Sequence, residues 1–142
     1  MTTTTTTTAR RTDVALTLLR VVLGVVFMAH GGQKLFGYGL DGVAGGFAQM
    51  GAPLPGITGP LVAFGEFFGG LALVIGLLTR LAGAGLAIIM LGAIFIAHIG
   101  AGFFAPNGVE FPLTLLSGAV ALAITGAGAF SADGVLAARR VR

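Results

Sequence analysis

The chain has 142 residues and a net charge of +3; 56% of its residues are hydrophobic and only 9% are charged. A soluble domain normally carries about a quarter charged residues, so this composition excludes an ordinary soluble protein. The chain contains no cysteine, which excludes disulfides, thiolate metal sites and cysteine nucleophiles. Its basic residues lie at the ends of apolar segments, which argues against nucleic acid as a partner.

The chain begins with a polar, threonine-rich stretch followed by a long apolar run. Residues 1–12 have nothing to bury, and we expect them to form a disordered tail. Asp13 is suited to cap a helix, and the apolar run over 14–36 predicts a first membrane span. Arg20 interrupts this run near its start, where its side chain is expected to reach the lipid headgroups.

Glycine and proline residues over 37–60 end the first span, and a short amphipathic helix over 43–50 is expected at the membrane surface. Pro60 is suited to the first turn of the next helix. A basic tail covers 132–142. The apolar runs predict an all-α, integral membrane four-helix bundle within residues 13–131, with spans at about 14–36, 61–78, 81–100 and 112–130.

The cations indicate how this bundle lies in the membrane. With four spans, both termini and the short turn at Arg80 share one side, and the other side holds only Lys34. The positive-inside rule therefore predicts that both termini are cytoplasmic. Seven of the eight cations lie on that cytoplasmic side: Arg10, Arg11, Arg20, Arg80, Arg139, Arg140 and Arg142.

Two stretches of the chain are nearly identical and end in its two histidines. LGVVFMAH over Leu23–His30 and LGAIFIAH over Leu91–His98 share five of eight positions. Duplication of a two-helix unit explains this similarity, and coincidence in an apolar composition is the alternative. Since two spans separate the copies, both point the same way through the membrane, as in parallel repeats.

Five polar residues are expected near one depth on the outer side. An ionisable group in a span is costly and by default faces the protein interior or a cavity. Glu66 enters from the opposite direction to the histidines and reaches a similar depth, roughly 9 Å into its helix. The predicted polar pocket comprises His30, Lys34, Glu66 and His98, with Glu110 in the loop above it.

A structural role for each of these residues remains an alternative. Lys34 can be an interfacial side chain paired with Glu66 or Asp41. Either histidine can be a buried hydrogen-bonding residue, and Glu110 can be an ordinary loop acid. At 100° per residue His30 and Lys34 share a helix face, and the other members of that face are Arg20, Leu23 and Phe27.

The residues also resemble the DoxX family of bacterial four-span membrane proteins. The matching segments begin with RVVLGVVFMAHGGQKLFG at Arg20–Gly37 and GEFFGGLALVIGLLTRLA at Gly65–Ala82. They continue with NGVEFP at Asn107–Pro112 and GAGAFSADG at Gly126–Gly134, where the family's basic residue is absent. The resemblance implies a multi-pass protein of the bacterial plasma membrane, linked to oxidoreductases that use quinone or act against oxidative stress.

Three functions remain open at this point. The first is a quinone-interacting membrane subunit of an oxidoreductase or oxidative-stress complex, whose other redox groups come from a partner, because the chain has no cysteine or flavin motif. The second is a non-enzymatic scaffold or a path for a small solute or protons. The third is a metal site of histidine and glutamate. Whether the chain is itself an enzyme, and its oligomeric state, stay undecided.

Overall fold

The computed structural model describes residues 3–140, and every regular element in that range is helical. The prediction of an all-α protein is therefore confirmed. We number the α-helices α1–α6 and call the two π-helical segments π1 and π2. The elements in chain order are α1 Thr3–Gly32, π1 Gln33–Tyr38, α2 Gly39–Gln49, α3 Pro55–Ile75, α4 Thr79–Ala93, π2 Ile94–His98, a 3₁₀ turn Ile99–Ala101, α5 Glu110–Thr125 and α6 Ala132–Arg140.

Some continuous helical stretches, which join several of these elements, are long and apolar enough to cross a membrane. Among the described residues they are Thr7–Gln49, Pro55–Ile75 and Thr79–Ala101. Helix α5 is apolar but has only 16 residues, about 24 Å against a hydrocarbon core of about 30 Å. It ends before residue 130 because Gly126 adopts a φ of +83°, which α-helical residues cannot adopt.

Two helices begin earlier than the sequence indicated. Helix α1 starts at Thr3, so residues 3–12 are helical and not a disordered tail, whereas residues 1–2 lie outside the described part. An existing helix extends at little cost, because nucleation is the unfavourable step. Helix α3 starts at Pro55, and Pro60 lies inside it. Pro55 is tolerated at the first position of α3 because the backbone N–H that proline lacks would have no partner there.

The helices associate in two antiparallel pairs, α1 with α3 and α4 with α5. In the first pair, a Cβ atom on Gly70 would lie 2.6 Å from the carbonyl oxygen of Gly24. In the second, a Cβ atom on Gly83 would lie 2.8 Å from the carbonyl oxygen of Ala119. Small residues thus let the backbones touch, as expected of helices that associate in lipid. The buried core consists of Leu23, Phe27, Leu73, Leu86, Ala87, Met90, Leu115, Ala119 and Leu122.

The end of the molecule that holds the start of α4 is called the terminal end here. Asp133 accepts hydrogen bonds from the amides of Leu78 and Thr79 there, and Asp13 accepts one from the amide of Ala129. Asp13 therefore lies inside α1 and ties it to the segment before α6, and it does not cap α1. The opposite, distal end holds π1, π2 and the start of α5.

Arg20 has a different role from the one expected. Its side chain is only 3% exposed and does not extend to the headgroups. The guanidinium donates hydrogen bonds to the carbonyls of Leu73 and Val74, in the last turn of α3, and to the carbonyl of Phe130. The carbonyls of Leu73 and Val74 lie at the negative end of the α3 dipole, so the buried cation is compensated where it lies.

Candidate functional site

The two nearly identical stretches, Leu23–His30 and Leu91–His98, end close to or within the π-helical segments. His30 lies in the last turns of α1, shortly before π1, and His98 is the last residue of π2. A π-helical turn widens the helix by one residue and redirects the side chains that follow, and such turns are frequent at functional sites. Lys34 is the second residue of π1, and its side chain meets α3 at Glu66.

The centre of the site is an ion pair between Lys34 and Glu66. Lys34 Nζ donates a hydrogen bond to Glu66 Oε2. The Glu66 side chain is 5% exposed and that of Lys34 is 22% exposed, so the carboxylate is the more deeply buried partner. A buried carboxylate requires such compensation, because removing an unpaired charge from water costs several kcal/mol. The sequence left Asp41 as an alternative partner, and the structure pairs Lys34 with Glu66.

His98 lies beside this pair with one ring nitrogen engaged. Its Nδ1 is 2.9 Å from the carbonyl oxygen of Ala93, five residues earlier, which matches the wider spacing of π2. Because a carbonyl only accepts hydrogen bonds, this contact requires a proton on Nδ1. In the neutral ring Nε2 is then a free acceptor, and in the charged ring it is a second donor.

A cavity of about 360 Å³ extends from Lys34, Glu66 and His98. Apolar residues form the rest of its wall except for Thr58, and they come from α2, the loop after it, α3, α4 and π2. Such a volume lies within the range of small-molecule pockets, roughly 300–1,000 Å³. Ile88, on α4, lines the cavity roughly 15 Å from His98 along the helix, so the cavity is elongated.

A second, smaller cavity of about 150 Å³ adjoins the same polar group. It is bounded by α1, α4, π2 and the first turns of α5. The ring of His30 lines it and lies 5.6 Å from the ring of Phe111. The structure therefore brings His30, Lys34, Glu66 and His98 around one cavity.

Glu110 does not join this group. Its Oε1 accepts a 2.6 Å hydrogen bond from the amide of Ala105, which fixes the loop before α5, and its side chain lines neither cavity. Within residues 3–140, no group of three or more histidine or acidic side chains is arranged to hold a metal ion. The metal alternative therefore has no support from the described geometry.

Sequence reasoning missed the contribution of the segment after π1. Val43 in α2 is buried against α3, and Phe47, Met50, Ala52 and Pro53 line the larger cavity. The segment was predicted to lie at the membrane surface because glycine and proline over 37–60 exclude a spanning helix and residues 43–50 are amphipathic. The amphipathic spacing of Val43 and Phe47 was the available signal for a protein-facing side.

The family model of DoxX matches residues 15–99, which is more than half of the chain. The chain belongs to the DoxX family. It is also similar to "Putative oxidoreductase CatD" of Bacillus subtilis (strain 168), with 32% identity over 105 residues, covering 74% of this chain and 75% of that protein. No solved structure matches it significantly. The matched family region contains His30, Lys34, Glu66 and His98 but ends before Glu110.

Proposed function

We propose that this DoxX-family protein is a multi-pass protein of the bacterial plasma membrane, with four spans and both termini in the cytoplasm. Three helical stretches are long and apolar enough to cross, and α5 is the short fourth. A short span is accommodated by local thinning of the bilayer at a modest cost. The terminal end carries Arg80, and Lys34 is at the distal end, which agrees with the positive-inside rule.

We further propose that the larger cavity binds a quinone and that the protein is the membrane subunit of an oxidoreductase or oxidative-stress complex. The observation that carries this proposal is the position of Lys34, Glu66 and His98 together in the wall of an elongated cavity that is otherwise apolar except for Thr58. A quinone has a polar head and a long apolar tail, so it matches such a cavity. Leu61 and Ile88 line the cavity and are exposed, which provides a lateral entrance from lipid.

The polar side chains of the cavity offer the groups that a quinone head requires. Lys34 Nζ is a donor for a head-group carbonyl, and His98 Nε2 is a donor when the ring is charged. Glu66 can hold a proton close to the head. The electrons come from a partner protein in this proposal, because the chain has no cysteine and no flavin motif. The name of the similar B. subtilis protein, "Putative oxidoreductase CatD", is consistent with such a partner.

A larger side chain in place of Gly92 can fill the larger cavity without disturbing the fold. Gly92 lines the larger cavity, and a Cβ atom built on it meets nothing within 4 Å. Gly85 lies two turns earlier on α4, is equally open, and lines neither cavity. Gly92→Leu and Gly85→Leu therefore make the same change in helix propensity, and only the first occupies the cavity.

The test is to purify the wild-type protein and both variants in mild detergent and to quantify co-extracted quinone by mass spectrometry. Binding of a short-chain quinone is then titrated. We expect stoichiometric quinone in the wild type and in Gly85→Leu, and at least ten-fold weaker binding in Gly92→Leu. Glu66→Gln should also weaken binding. Absence of quinone from the wild type, or equal binding by both glycine variants, would refute the proposal.

The non-enzymatic alternatives give different results. A scaffold retains a stable stoichiometric partner when quinone is absent and when Glu66 is changed to glutamine. A proton path shows proton flux in liposomes that Glu66→Gln abolishes. The buried Lys34–Glu66 pair is compatible with either, but neither explains why an apolar cavity of about 360 Å³ adjoins it.

A further inference from the structure

The two cavities have four lining residues in common. Lys34, Glu66, Ala93 and His98 contribute to both. The ion pair and the imidazole therefore lie where the two cavities adjoin, and the same side chains are accessible from two directions. One direction leads along the larger cavity between α2, α3 and α4, and the other leads toward His30 and α5.

The smaller cavity has the properties of a hydrated space. Four of its ten lining residues carry ionisable side chains: His30, Lys34, Glu66 and His98. One water molecule needs about 10–15 Å³ of accessible volume and two to four polar partners, so 150 Å³ holds several. An empty cavity would leave these polar groups unsolvated, which is costly in a low-dielectric interior.

The position of the smaller cavity also gives it access to bulk water. The residues that α5 contributes, Phe111, Pro112 and Leu115, belong to its first six residues, so the cavity lies within about 8 Å of the helix start. His30 and Phe111 at its edge are both exposed. The exposed loop before α5 lies at the same end. The larger cavity has exposed lining residues on the sides of α3 and α4, Leu61 and Ile88, and also in the segment between α2 and α3, Met50 and Pro53.

We propose that the smaller cavity is an aqueous vestibule through which water and protons from the distal side reach Glu66 and His98, and that the Lys34–Glu66 pair separates it from the apolar cavity. The charged groups that face Glu66 in this arrangement are Lys34 on π1, His98 on π2 and His30 on α1, and the α5 residues contribute none. Protons thus reach the pair from one side and a lipophilic ligand reaches it from the other. The vestibule itself does not depend on quinone binding.

The absence of native cysteine makes this inference directly testable. Leu115→Cys places a thiol in the vestibule, and Ala119→Cys places one a single turn deeper on α5, where the residue is fully buried and lines neither cavity. Gly92→Cys places a thiol in the larger cavity. Each protein is reconstituted in liposomes and treated with the small cationic reagent 2-aminoethyl methanethiosulfonate, which reacts with the thiolate.

We expect Leu115→Cys to react at least ten-fold faster than Ala119→Cys and Gly92→Cys. Met90→Cys faces the vestibule from α4 and should behave like Leu115→Cys, so the test stands if one variant does not fold. All four thiols should react fully after denaturation. If Leu115→Cys and Met90→Cys react no faster than Ala119→Cys, the vestibule is refuted. If Gly92→Cys reacts as fast as they do, the separation of the two cavities is refuted.

The outcome is independent of the quinone proposal. Adding Gly92→Leu to Leu115→Cys fills the larger cavity and should leave the labelling rate within two-fold. Loss of quinone binding with unchanged labelling therefore contradicts only the proposed function. Normal quinone binding with no labelling of Leu115→Cys or Met90→Cys contradicts only the vestibule.

Discussion

Replacing Arg20 tests whether the terminal end of the molecule depends on one buried cation. The guanidinium donates to the carbonyl oxygens of Leu73 at 3.0 Å and Val74 at 2.6 Å, and also to that of Phe130. Arg20→Met keeps an unbranched side chain of similar length and removes all three donors. The variant should fold with the same helix content but unfold more easily.

The magnitude follows from the number and kind of these hydrogen bonds. A hydrogen bond to a charged group contributes about 1.5–3 kcal/mol, but bonds from one guanidinium are not additive. The freed carbonyls lie near a helix end, where water can partly replace the lost donors. We therefore expect Arg20→Met to lower the free energy of unfolding by about 3 kcal/mol.

Arg80 provides the matched control. It is exposed and donates to the carbonyls of Ala123 and Ile124, in the last turn of α5, at 3.1 and 2.9 Å. Because water competes for these carbonyls, Arg80→Met should cost about 1 kcal/mol or less. Both values can be measured by titrating detergent-purified protein with dodecyl sulfate and following helicity by circular dichroism. Equal losses in the two variants, or no loss in Arg20→Met, would refute the reasoning.

Two further predictions use the same unfolding assay. Gly70→Ala should lower the free energy of unfolding by about 1–3 kcal/mol, because its Cβ would lie 2.6 Å from the Gly24 carbonyl oxygen. Gly85→Ala, in open space, should be neutral or stabilising by up to about 1 kcal/mol, and an equal loss in both would contradict close packing. Lys34→Met should cost about 3–5 kcal/mol by leaving Glu66 unpaired, and adding Glu66→Gln should recover at least half; additive losses would argue against the pair.

The candidate residues of the site were predictable, whereas their arrangement was not. An ionisable side chain in an apolar run is conspicuous in any composition this poor in charge, so the sequence identified Glu66, Lys34 and the two histidines. Glu110 was grouped with them because it precedes a span at the same depth. The structure turns it toward the amide of Ala105, a local contact that depth and spacing do not predict.

Helical periodicity predicted which face of α1 is buried but not which partner Lys34 meets. The predicted face of α1 is buried at Arg20, Leu23 and Phe27, because that helix follows regular spacing up to Gly32. Lys34, the second residue of π1, lines the smaller cavity together with His30, as their shared helix face predicts. A helix face does not show which neighbouring element it meets, so the choice of Glu66 over Asp41 as the partner of Lys34 could not be read from the sequence.

The sequence by itself determined the class of the molecule, its helical segments and its family, because hydropathy and charge are properties of each segment in its solvent. Only the tertiary structure decided which polar groups meet, since that depends on how each helix is rotated and where it ends. It buried Arg20 against the carbonyls of α3 and paired Lys34 with Glu66. It also left two cavities that share the Lys34–Glu66 pair in their walls, although close contacts at glycine join α1 to α3, α4 to α5 and α3 to α4.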